Sequence, residues 1–175
     1  MMVDIQTISI AIASASVVAG VVYYALQIRH QDRMRHLDLF MRLYSIWGSE
    51  DMLNAHRRFL ALKVESWDDF VKKYGPVAPL ETEPSQIVTD VDRIGWFFNL
   101  MGFLVKEKIV HIKLVDELLG YWVIKNWETI KPLVYGWRKQ YNIPKSYHWF
   151  EYLYNEMQKR RQQQGLSTAA IPMGI

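Results

Sequence analysis

The chain contains no cysteine. Disulfides, thiolate nucleophiles and thiolate metal sites are therefore excluded, which suits a reducing compartment without requiring one. Phosphate-cradling loops are missing too: there is no G-x-G-x-x-G and no P-loop. Neither G-x-S-x-G nor S-x-x-K occurs, so the common serine-nucleophile arrangements have no foothold. The metal patterns H-E-x-x-H and paired E-x-x-H are absent. No run alternates polar and apolar residues for long enough to nominate a strand. Lysine and arginine are also unevenly distributed, with none before Arg29.

What stands ahead of Arg29 is a charge-free stretch. Residues 5–28 read IQTISIAIASASVVAGVVYYALQI. A membrane-spanning helix needs about 20 mostly apolar residues, because the hydrocarbon core is about 30 Å thick and a helix rises about 1.5 Å per residue. Ile5, Ile12, Val17, Val22 and Ile28 supply the apolar surface of such an anchor. Tyr23 and Tyr24 fall where an aromatic interfacial belt would lie. Ser9, Ser14 and Ser16 are small, and their hydroxyls can bond back to their own helix. A buried soluble helix and a cleaved signal peptide, with Ala13-Ser14-Ala15 as its cleavage site, are the rival readings, and the signal peptide is the stronger of the two. Met1, Met2, Val3 and Asp4 lack its positive start, and the apolar core before that site would be short.

Charge gives the anchor a direction. Arg29, Arg33, Arg35 and Arg42 follow it, so the positive-inside rule puts the N-terminus outside and the remaining chain in the cytoplasm of a single-pass cell-membrane protein. Arg29, Arg33 and Arg35 are candidate contacts to anionic lipid head groups, each contributing on the order of 1 kcal/mol near the surface. Small residues recur at four-residue intervals at Ala11, Ala15 and Ala19, and at Ser16 and Gly20. Such a face lets membrane helices pack closely, against a second copy or another membrane subunit.

Beyond the anchor, about 147 residues remain, enough for one domain with a sizeable core. Seven tryptophans and an aromatic content of 14% argue for dense packing and against disorder. A net charge of +3 is too small to argue for nucleic acid by itself. The expected organisation is an anchor over 1–28, a stalk and helical cytoplasmic domain over 29–165, and a frayed tail over 166–175.

Residues 29–47 hold neither Gly nor Pro, and Met34, Leu37, Phe40, Met41, Tyr44 and Trp47 space out one helical stripe. The anchor helix is therefore expected to continue as a stalk to Gly48, with an unwound hinge around 29–32 as the alternative. Ser49 is an N-cap for a helix to about residue 62, with Met52, Leu53, His56, Phe59 and Leu60 inward. Ser66-Trp67-Asp68-Asp69 is a capping box opening a short helix that stops at Gly75-Pro76. The stretch 75–84, with three prolines, is a loop. A long helix is expected over 84–106, capped by Thr82 or Glu83, with Ile87, Val91, Ile94, Phe98, Met101 and Val105 as its row. Gly95 and Gly102 share a face that would admit a close neighbour. Residues 109–141 read as one broken or two consecutive helices, because Pro132 must kink or split them. A last helix spans 145–164, with Trp149, Phe150, Leu153, Tyr154 and Met157 inward and Gly165 as its stop. The fold class is all-α: an N-terminal transmembrane helix continuing into a stalk, then an irregular bundle of about five helices.

Candidate chemistry is sparse, and each case has a plainer reading. Asp90, Asp92 and Arg93 interrupt an apolar helix, and with His111 they could mark the site of a membrane-bound enzyme. The plainer reading pairs Asp90 with Arg93 as i,i+3 neighbours. His111 with Glu107, Asp116 and Glu117 could be imagined as metal ligands, but ordinary helix-end polar residues explain them equally well. Arg57-Arg58 and Lys159-Arg160-Arg161 could meet nucleic acid, or be solvated helix faces. No cofactor is implied, and the lipid bilayer and another membrane protein chain are the partners the pattern favours.

The run Val21-Val22-Tyr23-Tyr24-Ala25-Leu26-Gln27-Ile28-Arg29-His30-Gln31, followed by Leu39-Phe40-Met41-Arg42-Leu43-Tyr44, resembles an uncharacterised prokaryotic family. Its members have one N-terminal transmembrane helix and a helical cytoplasmic domain of unknown function. The resemblance implies architecture and no activity. The function expected from the sequence is a membrane-tethered interaction, regulatory or accessory subunit.

Overall fold

A computed structural model describes residues 4–75 and 84–165. Six helices follow one another: α1 (Ile5–Trp47), α2 (Glu50–Leu60), α3 (Trp67–Tyr74), α4 (Gln86–Lys106), α5 (Ile112–Tyr141) and α6 (His148–Gln163). No strand occurs among the described residues. The chain divides into two compact units, Met1–Arg42 and Leu43–Ile175.

The described part of the first unit is helix α1. Nothing interrupts it at 29–32, where a hinge was the alternative, because no Gly or Pro breaks the backbone ladder there. Among the described residues it is the one helix long and apolar enough to cross a membrane, and its apolar window has no buried residue. The Ser9 hydroxyl donates to the Ile5 carbonyl at 3.0 Å and that of Ser16 to Ile12 at 2.8 Å, so these polar groups are satisfied within the helix. The stripe expected beyond residue 29 narrows on inspection. Met34, Leu37 and Met41 are exposed, while Phe40, Leu43 and Trp47 are buried.

The second unit contains the last turn of α1 and the helices α2–α6. Helix α4 is its axis, packed against α2, α5 and α6, while α5 also meets α3 and α6. The three-four rhythm of α4 explains this. Val91, Ile94, Phe98, Met101 and Val105 are buried, joined by Val88, Phe97 and Leu104, so α4 is covered on several sides. Each such side chain contributes about 1.5–3 kcal/mol when fully removed from water. Trp47 ties the end of α1 into this core, its ring centroid lying 5.0 Å from Phe98, 5.2 Å from Phe97 and 4.8 Å from His56.

Helix starts follow their capping residues. Ser49 accepts from the Met52 amide and Ser66 from that of Asp69. The capping box at Ser66 is half formed, since the Asp69 carboxylate turns to Lys73 at 3.1 Å rather than back to the cap. Helix α4 begins after Ser85, and the caps expected at Thr82 and Glu83 lie outside the described residues, as do most of the 75–84 loop and the 166–175 tail. Helix α5 is a single helix with Pro132 inside it, and its start is set by His111, whose ring accepts from the Lys113 amide at 3.1 Å. Pro132 removes one donor, but ten buried positions along α5, on both sides of it, hold the helix together. Helix α6 begins at His148 rather than at 145, because Tyr147 adopts a left-handed conformation, φ 53°.

Candidate functional site

The polar residues that interrupt α4 do not converge. Asp90 and Asp92 are two positions apart on a helix that turns about 100° per residue, so they leave opposite sides. Asp90 faces α2. Its carboxylate is fully buried and accepts from Arg58 Nε at 2.6 Å, from Arg58 at a second nitrogen at 2.9 Å, and from Gln86 at 3.0 Å. The expected Asp90–Arg93 pair is therefore replaced by a longer-range one, and Arg93 is exposed. Burial alone would push the Asp90 carboxyl up. The hydrogen bonds from Arg58 and Gln86, with the positive charges of Arg58 and Arg93, outweigh it and hold the carboxyl below its usual range.

His111 is spent as the cap of α5, and Asp116 accepts from Arg160 at 2.8 Å. Among the described residues no three His, Asp or Glu side chains gather as a metal would require. The basic clusters are also partly engaged: Arg57 bonds Asn54, Arg58 bonds Asp90, Lys159 bonds Glu156 and Arg160 bonds Asp116.

Asp92 leaves the other side of α4 and faces the turn between α5 and α6. There the Tyr147 hydroxyl donates to its Oδ1 at 2.8 Å. Burial raises the Asp92 carboxyl, and the Tyr147 bond pulls it part of the way back. Tyr147 is itself raised by burial and by the neighbouring Asp92 charge, so it stays a donor. This pair lies in the wall of a cleft of about 490 Å³. Trp67, Phe70, Trp96, Trp137 and Trp149 line it, together with the aliphatic Val88, Val91, Ile130, Leu133 and Val134. The size and mostly apolar lining are those of a small-molecule site.

Several contacts position Tyr147 and the turn that carries it. Gly95 lies under Tyr147: an added Cβ would come within 2.6 Å of the tyrosine ring. Arg138 braces the turn, donating to the Ser146 carbonyl at 2.9 Å and to Glu151 at 2.7 Å. Asn99 accepts from the amides of Trp149 and Phe150 at 3.1 and 3.2 Å, which fixes the first turn of α6. A bulky residue at positive φ is an outlier, and here its own contacts with Asp92 and Gly95, and the bonds that Arg138 and Asn99 make on either side of it, hold it there.

Of the residues singled out from sequence, the structure gives Asp92 a cleft and gives Asp90, Arg93 and His111 other surroundings. Sequence reasoning missed Tyr147, Trp137 and Trp67 as members of one site. The available signals were indirect: Gly95 as a point of close approach, and Asn99 as a polar break in an apolar helix. The anchor residues Ile5, Ile12, Val17, Val22, Tyr23, Tyr24 and Ile28 are exposed, as are Arg29, Arg33 and Arg35, and Ala15, Ser16, Ala19 and Gly20 of the small-residue face. The side chain of Ala11 lies outside the described residues.

The chain belongs to a family described as a domain of unknown function, DUF4760, which matches residues 11–157. No curated protein and no solved structure matches it.

Proposed function

We propose that this protein is a single-pass, membrane-tethered helical binding domain that serves as an accessory or regulatory subunit of a membrane complex. The observation that carries this reading is the exposed, charge-free helix over residues 5–28, which offers water a surface that only lipid or another helix would cover. The arginines that follow it support an N-terminus outside and a domain in the cytoplasm, with Arg29, Arg33 and Arg35 at the head groups. The small-residue face of Ala11, Ala15, Ala19, Ser16 and Gly20 supports close packing against a second anchor helix. A stripe of Trp96, Leu100 and Phe103 on the outer face of α4 supports the interaction role of the domain, since these large apolar side chains are exposed at 64%, 45% and 39%.

The absence of cysteine makes the test direct. Single substitutions Met2→Cys and Gly174→Cys are labelled in intact cells with a membrane-impermeant maleimide. Labelling of the first only, together with retention of the full chain in alkaline-washed membranes, supports the reading. An intact chain that is recovered soluble without detergent defeats it, and labelling of the second only reverses the orientation.

A further inference from the structure

We propose that the cleft around Asp92 binds an organic cation: an ammonium group carried on an apolar or aromatic body, with the Asp92 carboxylate as its counter-ion. The proposal does not depend on the membrane reading, since every residue it uses lies in the second unit.

Three observations combine. The first is the chemistry of the wall. Four tryptophans, Phe70 and Tyr147 line one cleft, and an aromatic-rich lining is the kind that attracts a cation wherever a ring face is presented to it. The second is the sign of the enclosed charge. Asp92 is the one acid that lines the cleft, and its remaining oxygen accepts no hydrogen bond among the described residues. Lys145 and His148 also border the cleft, but Lys145 is exposed, the His148 ring bonds the Lys145 carbonyl at 2.8 Å, and neither makes an ion pair among the described residues. The partly buried charge is therefore negative, and among the described residues no cation lies within ion-pair distance of it. The third is the cost already built into the site. Tyr147 sits at positive φ, and its hydroxyl bonds one Asp92 oxygen while the other accepts no hydrogen bond among the described residues. Burial holds the Asp92 carboxyl above its usual range, a penalty that an incoming cation relieves.

The size of the cleft sets the ligand class. A volume of about 490 Å³ exceeds what a bare metal ion or a methylammonium would fill, and it suits a ring or short alkyl body attached to the ammonium. One carboxylate matches one positive charge.

The test uses the full chain in uncharged maltoside micelles, with blank micelles subtracted, and calorimetric titration with three probes of similar size: benzyltrimethylammonium, benzyl alcohol and benzenesulfonate. The expected result is saturable binding of the ammonium, at least about tenfold tighter than either comparator. Asp92→Asn, which can still accept from Tyr147, should weaken the ammonium by about tenfold or more at an unchanged melting temperature. Trp96→Leu removes an exposed ring whose loss leaves the core intact, and it should weaken the same probe. The proposal is overturned by equal or tighter binding of the neutral or anionic probe, or by no saturable ammonium binding up to about 10 mM. Unchanged affinity in Asp92→Asn overturns it as well; should that variant fail to fold, unchanged affinity in Trp96→Leu does so.

Discussion

Arg58 and Asp90 meet across thirty-two residues of sequence, the guanidinium donating twice to a carboxylate that has no exposed surface. This joins α2 to α4 and uses one member of a basic cluster for an internal purpose. Removing Arg58 would strand a buried charge, which costs more than the pair contributes in its native form. Arg58→Ala should therefore destabilise the domain more than Arg57→Ala, whose exposed side chain bonds, among the described residues, the side-chain oxygen of half-buried Asn54. The pH dependence should differ as well. In the parent, Asp90 sits below its ordinary range, so its contribution is present at neutral pH and lost as pH falls through that lowered value. In Arg58→Ala, burial is opposed only by the Gln86 hydrogen bond and the Arg93 charge, and the carboxyl rises. The gap in melting temperature between variant and parent should narrow from pH 7 to pH 4. A gap that widens on acidification would contradict this account.

Asn99 gives a second prediction. Its side-chain oxygen accepts from two successive amides, Trp149 and Phe150, at the start of α6, where no residue of the turn supplies a cap. These are among the donors that a helix leaves unpaired at its start. Asn99→Leu keeps the volume and removes the acceptor. A loss of about 1–2 kcal/mol is expected, the range for a helix cap, read by denaturant titration. The same variant should loosen Trp149, and with it one wall of the cleft. A loss below a few tenths of a kcal/mol would mean that solvent replaces the amide.

His56 sets a third. It is 5% exposed, bonds the fully buried Asn126 side chain at 2.8 Å, and is edged by Trp47 and Trp122. Burial lowers its pKa, and the Asn126 bond only partly opposes that. The unfolded chain then takes up a proton near pH 6.5, before the folded one does. Stability from this residue is fully present above that value and falls as pH drops from about 6.5 toward the lowered folded pKa. His56→Leu should abolish this acid-side step. At pH 8 it should cost about 1–3 kcal/mol, because the Asn126 oxygen loses its partner. Melting curves from pH 8 to pH 5 that are parallel for both proteins would refute the assignment.

Helix positions were legible because their signals are local. The three-four rhythm of Val91, Ile94, Phe98, Met101 and Val105 marks α4, and Ser49 and Ser66 mark two starts. Pro132 was ambiguous because its effect depends on the neighbours that hold α5 on both sides of it. The site was harder to see. Asp92 and Tyr147 are fifty-five residues apart, and nothing in the run Asn142-Ile143-Pro144-Lys145-Ser146 announces a left-handed tyrosine. Asp90 and Asp92 were visible as polar breaks, yet the nearest partner on the same helix, Arg93, was the wrong one. Local spacing ranks i,i+3 neighbours first, whereas a buried carboxylate takes whichever cation the tertiary packing delivers.

Glycine gives the last prediction, and it separates the two units. Gly95 and Gly102, seven positions apart on α4, lie on the face that meets Tyr147 and the start of α6. At Gly102 an added Cβ would collide with the Trp149 backbone carbonyl, and backbone cannot swing aside as a side chain can. Gly102→Ala should therefore destabilise the second unit by about 1–3 kcal/mol or more despite the better helix propensity of alanine. Gly20 in α1 has nothing within 4 Å of an added Cβ. Gly20→Ile should leave the melting of the domain unchanged. If Gly20 and Ser16 pack against a second anchor helix, however, the bulky side chain removes the close approach, and chemical crosslinking between copies in membranes should drop severalfold. Crosslinking that persists in Gly20→Ile, with Gly102→Ala melting like the parent, would show that neither glycine face is a contact.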